Sequence, residues 1–385
     1  MKETLIKGKN GDEFLPVISL YGPNGGGKST VLEALVYLRN FVIYHLKAVN
    51  PSIIGNIDFQ ALNIKMINKD VYFKFDSESS AKPTEFNILF QTRKNEFKYE
   101  VSLINGQISV ENLYCRPLYD DDVKMVFERS NSKIETCEEL SALLLNKVNN
   151  SVSLLSYLGI FYDLDNINDA FHWFMNTFVL DYDEPASDWN IAIPREKDEL
   201  NIFVGILQHM DINITGIRVI RDEKGNISNI FTEHQIGSNK YELNLLEESS
   251  GTRKLFTCLA QIITALNKGF FVIADELDAK LHPKLLRYIV ELFKDREINK
   301  NGAQLVLTSH DMVNMDSSVF RRDEIWFCSL GNDNSSNLYS LVSFVTPNGC
   351  KVRKDASYSK QYLEGLYGAD PYITKGFDWM VGDEQ

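Results

Sequence analysis

One short run limits this chain's fold more than any other: Gly22-Pro23-Asn24-Gly25-Gly26-Gly27-Lys28-Ser29. It follows an apolar stretch (Val17, Ile18, Leu20, Tyr21) and opens another with helical spacing (Val31, Leu32, Ala34, Leu35, Val36, Leu38). The order is strand, glycine loop, helix, and the loop fits G-x-x-x-x-G-K-[ST], the phosphate-binding P-loop. Glycines allow the positive φ angles that turn successive N–H groups toward an anion, and the helix N-terminus adds its positive dipole end. In such a loop the lysine reaches the β- and γ-phosphates and the Ser29 hydroxyl binds Mg²⁺. Thr30 lies beside them.

Phe270, Phe271, Val272, Ile273 and Ala274 form a short apolar run ending in Asp275-Glu276. A continuous run of this length reads as a buried strand. Carboxylates at its C-terminal end emerge where open α/β sheets bind ligands. Asp275 fits a Mg²⁺ partner, and Glu276 fits a residue that orients or deprotonates water. Asp278 sits on the loop that follows, before Pro283 and a helix over 284–293. Another strand, Gln304–Thr308, leads to Ser309-His310-Asp311, so His310 also lies at a strand end, where an imidazole can sense a γ-phosphate. Glu248-Ser249-Ser250-Gly251-Thr252-Arg253 precedes a helix with apolar residues at 255, 256, 259, 262, 263 and 266, one helical face. Ser249 or Ser250 is its N-cap.

In this order the P-loop, Ser-Gly helix, Asp-Glu strand, Asp loop and strand-end His resemble the ABC-type ATPase head. More narrowly they are similar to the AAA15-type, overcoming-lysogenization-defect (OLD)-like ATPases of prokaryotes. The ending Tyr362-Leu363-Glu364-Gly365-Leu366-Tyr367-Gly368-Ala369 is also like that family. The resemblance implies an α/β P-loop NTPase fold of ABC-head type with an antiparallel β layer and an inserted helical lid. It implies ATP and Mg²⁺ as ligands, Gly22 to Ser29 with Thr30 as Walker A, and Asp275 and Glu276 as Walker B metal residue and catalytic glutamate. Ser250 and Gly251 would be the signature, bound to the nucleotide of a second subunit, Asp278 the D-loop residue and His310 the switch histidine. Lys28, Glu276 and His310 would then carry the catalysis in a homodimer or higher oligomer.

The signature reads Ser-Ser-Gly-Thr-Arg, not Leu-Ser-Gly-Gly-Gln, which argues against a transporter head. The chain begins shortly before the P-loop, so no adenine contact is assigned. Gln91 is a candidate for the glutamine loop and equally an ordinary strand residue. OLD-like nucleases carry a TOPRIM domain after the ATPase, and the stretch after His310 is too short for one. Such ATPases are often encoded beside effector proteins, nucleases among them, in anti-phage systems. That relation implies a conformational signal to a partner. A DNA-repair or DNA-maintenance ATPase and a non-hydrolysing ATP-gated scaffold are the alternatives.

A net charge of −13 disfavours strong duplex DNA binding, which needs clustered Lys and Arg. Lys351-Val352-Arg353-Lys354 is one candidate basic patch, or a solvated loop. With no long apolar run and no signal-like N-terminus, neither a membrane span nor export is expected. Five scattered cysteines fit reduced thiols in the cytoplasm better than a zinc site.

The organisation expected is 1–120 as the first part of the head, 121–211 as a helical insertion and 212–385 as the second part. Strands are expected at Val71–Phe75, Glu85–Gln91, Phe97–Leu103 and Gln107–Leu113, and helices at Ser141–Val148, Val152–Phe161 and Ile167–Phe178. A hairpin is expected around Lys224-Gly225. Aromatic density over 161–178 fits core better than a binding surface. Asp181-Tyr182-Asp183-Glu184 fits a solvated loop beside Pro185 better than a metal-binding Asp-x-Asp run, and His172, which lacks a metal-spaced partner, reads as structural.

Overall fold

The computed structural model describes residues 4–48, 71–131, 133–180, 193, 197–210, 212–223, 225, 227–346, 349 and 351–369. The acid run at 181–184 lies outside the described residues, as does Lys224. The elements begin with β1 (Ile6–Lys7), β2 (Glu13–Phe14), β3 (Val17–Tyr21), α1 (Lys28–Ile43), β4 (Thr84–Gln91), β5 (Asn95–Ile104), β6 (Gln107–Pro117), β7 (Lys124–Ser130) and β8 (Lys133–Thr136). Then come α2 (Leu154–Phe161), α3 (Asp165–Met175), β9 (Thr177–Leu180), α4 (Lys197–His209), β10 (Gly216–Arg221), β11 (Ile227–Ile236) and β12 (Asn239–Asn244). The chain continues with α5 (Ser250–Lys268), β13 (Phe271–Ala274), α6 (Pro283–Lys294), β14 (Gln304–Thr308), β15 (Ile325–Leu330), β16 (Ser336–Ser340) and α7 (Tyr358–Leu363).

A six-stranded sheet in the order β16-β15-β3-β14-β13-β9 carries the site. Its strands are parallel except β16, which pairs antiparallel with β15. Both faces are covered, which is why its strands are apolar on both sides. Val17 and Tyr21 of β3, Val272 and Ala274 of β13, and Leu305 and Leu307 of β14 pack with α5 and α6. The alternate residues Leu20 and Ile273, with Ile18 and Val306, face Leu32, Val31 and Leu35 of α1. This two-residue alternation is the pleat of a strand. Gly269, at φ +78°, stops α5 and turns the chain directly into β13.

Strands β4 to β8 form a separate antiparallel sheet in sequence order. Asn105 and Gly106 both have positive φ, as a two-residue hairpin turn requires. Phe97, Tyr99, Val101 and Leu103 of β5 are buried against α1, α2 and α3 together with Phe171 and Phe174. The aromatics of α3 are therefore core. Phe161 at the end of α2 is exposed.

Three local expectations need correction. Residues 71–75 form bends and turns instead of a strand, and Phe75 is exposed. Ser141–Val148 is not a helix; two 3₁₀ turns, Glu138–Leu140 and Leu145–Lys147, bury Leu140 and Leu145. There Ser141 Oγ donates to the Glu138 carbonyl at 2.6 Å, the local competition that unsettles serine in helices. The 121–211 stretch is also not purely helical, because it supplies β7, β8 and the sheet-edge strand β9. The short runs in β7 to β9 gave the sequence reading too little periodicity to separate strand from helix. The hairpin expected around Gly225 is present as β10–β11, with β12 extending it.

Candidate functional site

Every functional side chain expected at the sheet lies at the C-terminal end of β3, β13 or β14. β14 stands between the other two, with Thr308 opposite Leu20 and Leu307 opposite Ala274. The P-loop and the Asp275-Glu276 pair therefore face each other across one strand, a separation of about 10 Å between strand axes.

From Tyr21 the loop turns through Gly22, Pro23, Asn24, Gly25 and Gly26, with the Gly26 N–H donating to the Pro23 carbonyl at 3.0 Å. Gly27, at φ +97°, is the residue before α1, and its conformation suits only glycine. Space is also restricted. A Cβ on Gly27 would strike the hydroxyl of Ser336, and one on Gly22 would strike the Cys328 carbonyl. Neither Ser336 nor Cys328 was expected near the loop; both come from the β15–β16 hairpin.

Lys28 is buried, and its ammonium donates to the carbonyls of Gly22 at 2.8 Å and Pro23 at 3.0 Å. Burial pulls its pKa below the ordinary 10.5, while Cys328, Glu276, Asp275 and Asp278 pull it back up. All three carboxylates thus share an electrostatic neighbourhood with this lysine. Ser29 Oγ is 3.3 Å from Asp275 Oδ1, and Thr30 is exposed beside them. Two hard oxygens at this spacing fit adjacent corners of a Mg²⁺ octahedron, whose cis ligands stand about 3 Å apart. Among the described residues no cluster of three or more His, Cys, Asp or Glu could hold a metal by itself.

Asp275 and Glu276 are exposed at the strand end. Glu276 adopts the left-handed conformation, φ +47° and ψ +36°. Its N–H donates to Thr308 Oγ1 at 2.8 Å, and that hydroxyl donates to Asp275 Oδ1 at 2.5 Å. By sequence alone Thr308 is a plain strand residue. The available signal was a hydroxyl closing an apolar strand, since a buried hydroxyl must find partners.

Asp278 lies on the 3₁₀ turn Leu277–Lys280, and its Oδ2 accepts from the His310 N–H at 2.6 Å and Ser309 Oγ at 3.1 Å. The His310 side chain is exposed. Ser250 and Gly251 stand elsewhere, at the N-terminus of α5, where Ser249 is the cap and its Oγ accepts from the Thr252 N–H at 3.1 Å. Gly251 lines a groove of about 810 Å³ with Met210, Leu281, His282 and Tyr288, not with the P-loop. Gln91 ends β4, and its amide oxygen lies against Gly8 of the β1–β2 hairpin. Arg353 of the basic run pairs with Asp355 at 3.1 Å. The four described cysteines are free thiols, and His172 is exposed on α3.

The profile of a family described as "AAA domain, putative AbiEii toxin, Type IV TA system" matches residues 17–316. The chain belongs to that family. This AAA-domain protein has the P-loop NTPase fold, and the matched span takes in the P-loop, the Asp275-Glu276 pair and His310. Among solved structures it is similar to an SmcHead bound to the C-winged helix domain of ScpA, with 15% identity over 84% of this chain and 90% of that one and a TM-score of 0.39. It is also similar to the SMC head domain from Thermotoga maritima, with 13% identity, 86% and 92% coverage and a TM-score of 0.35. An Smc head with an extended coiled coil from Pyrococcus furiosus, bound to the C-terminal domain of ScpA, gives 14%, 84% and 90% and a TM-score of 0.38. No curated protein matches the AAA-domain chain. Among its described residues no helix is long and apolar enough to cross a membrane.

Proposed function

We propose that this AAA-domain protein is an ABC-type ATPase that hydrolyses MgATP at a head-to-tail dimer interface and signals its nucleotide state to a partner effector. The observation that carries the reading is the meeting of Lys28, Ser29, Asp275 and Glu276 at neighbouring strand ends of one sheet. The P-loop amides and Lys28 hold the phosphates. Ser29 and Asp275 hold Mg²⁺, which when bound neutralises charge on the β- and γ-phosphates. Glu276 orients the attacking water and His310 contacts the γ-phosphate.

Ser250 and Gly251 lie outside this cluster, which supports their acting on the nucleotide of a second subunit. A Cβ on Gly251 would meet little but its own cap, so the helix N-terminus is open to an approaching phosphate. The likeness to AAA15-type, OLD-like ATPases supports a cytoplasmic role in bacterial anti-phage defence, with an effector such as a nuclease as the receiver.

A mixing experiment tests the composite site. Lys28→Ala and Ser250→Arg should each be inactive alone. Mixed in equal amounts they should recover about a quarter of the wild-type rate, since half the dimers keep one intact site of two. A mixture as inactive as its parents overturns the head-to-tail arrangement.

A further inference from the structure

We infer that Thr308 is a positioning residue that locks the metal carboxylate and the water-orienting glutamate into one unit. The inference rests on the nucleotide reading above. Thr308 ends β14, the strand between the P-loop strand and the Asp275 strand. It is fully buried. A hydroxyl has one proton to give, and here it goes to Asp275 Oδ1 at 2.5 Å, leaving the oxygen's lone pairs to accept the Glu276 N–H at 2.8 Å. The same Asp275 oxygen also accepts from Ser29 Oγ at 3.3 Å. One buried hydroxyl thus connects the metal side of the site to the backbone of the residue that handles water.

The second bond matters because of the shape of Glu276. A left-handed backbone is disfavoured for any residue with a Cβ and persists only when its surroundings hold it. Leu277, buried immediately after it, anchors one side, and the Thr308 oxygen anchors the other. Without that oxygen the Glu276 N–H loses its partner and the Asp275 carboxylate is free to rotate away from Ser29. Valine fills the same volume as threonine, so the strand's packing survives the change while both hydrogen bonds go. Serine keeps the hydroxyl and loses only a methyl group.

The test follows a fluorescent ATP analogue binding to the full chain, first in EDTA and then across a Mg²⁺ titration, with hydrolysis measured alongside. Thr308→Val should bind the analogue in EDTA within about twofold of wild type, since the P-loop is untouched. It should need about tenfold more Mg²⁺ for half-maximal effect and lose about tenfold or more in kcat. Thr308→Ser should stay within about threefold on every measure. A folded Thr308→Val protein with wild-type Mg²⁺ dependence, or a serine form as impaired as the valine form, overturns the inference. If the valine form does not fold, the alanine and serine forms are compared in the same way, and an equal Mg²⁺ requirement in both is the overturning result. Wild-type protein that binds no nucleotide overturns the nucleotide reading and this inference together. Wild-type activity with an indifferent Thr308→Val overturns this inference alone.

Discussion

The carboxylate of Asp278 holds the main chain of His310. Its Oδ2 accepts the His310 N–H at 2.6 Å and the Ser309 hydroxyl at 3.1 Å, across two loops that follow different strands. Its other oxygen, Oδ1, is buried and has no hydrogen-bond partner. A carboxylate so placed fixes where the histidine leaves the sheet without touching the P-loop. Asp278→Ala should therefore lower kcat by about tenfold while leaving ATP affinity within about threefold, the split expected when a group acts on the reaction rather than on ground-state binding. Asp278→Asn keeps an accepting oxygen and should remain close to wild type. Steady-state kinetics beside equilibrium nucleotide binding decide it, and equal losses in both quantities would count against the assignment.

Gly27 and Gly25 provide a controlled comparison. Both have positive φ, +97° and +77°. A Cβ on Gly27 would also strike Ser336, whereas one on Gly25 meets nothing within 4 Å. Gly25→Ala should cost only backbone strain, about 1 kcal/mol, and Gly27→Ala about 2–3 kcal/mol because strain and collision combine. Adding Ser336→Gly to Gly27→Ala should recover part of the difference. Urea unfolding of the four proteins measures it, and indistinguishable single variants would refute the packing argument.

The strand–loop–helix around Lys28 and the Asp275-Glu276 strand end were legible because each motif is local and chemically specific. Ser336 and Cys328 were not, since their closeness to the P-loop comes from β15 pairing with β3, a contact between residues far apart in the chain. The strand β9 was hidden for a related reason. Thr177–Leu180 is too short to show a period and follows directly on α3, so its apolar residues read as more helix. Thr308 shows the same limit at the level of one side chain. The sequence marks it as β-branched and strand-forming, and only the register of β14 against β13 reveals that its hydroxyl meets Asp275.

Glu111 should be the most costly polar residue to remove from the antiparallel layer. It is fully buried and accepts from Tyr99 Oη and Ser153 Oγ at 2.8 Å, and from the N–H groups of Leu154 and Leu155 at 2.8 and 3.2 Å. Arg129 lies 3.5 Å away, equally buried. The carboxylate thus serves as an anion at the start of α2 and as counter-ion to a buried guanidinium. Glu111→Ala leaves the buried guanidinium with only its neutral partners, the Val148 and Val152 carbonyls and Asn150, and should destabilise the fold by about 3–5 kcal/mol. Chemical denaturation is the measurement, and a loss below about 1 kcal/mol would show the pair to be dispensable.

Lys28 predicts a proton linkage. Burial lowers its pKa below 10.5. While protonated, the lysine therefore works against folding, and that penalty eases as pH rises through its folded value toward the unfolded one. A bound triphosphate favours the cation and moves the pKa back up. Nucleotide binding should thus take up a proton in the window between the free-site value and 10.5, and affinity should fall as pH rises through it. Calorimetry in two buffers of different ionisation heat, across a pH series rising from neutral toward 10.5, reads this directly. Uptake that does not grow with pH would show that Lys28 keeps its charge unaided.

Glu276→Gln separates binding from chemistry. The amide has the same shape as the carboxylate but cannot take a proton from water, and the backbone bond to Thr308 is unaffected. Because Glu276 is exposed at the strand end, no buried charge is lost and stability should change by less than about 0.5 kcal/mol. Hydrolysis should slow by about 10²–10⁴-fold, the range for removing a positioned general base. ATP affinity should persist, and on the proposed head-to-tail reading, in which a closed dimer precedes hydrolysis, ATP should trap that dimer. Light scattering with and without MgATP would show a stable dimer for the variant and a transient one for the parent. Hydrolysis at the parental rate would remove Glu276 from the mechanism and leave water activation to another group.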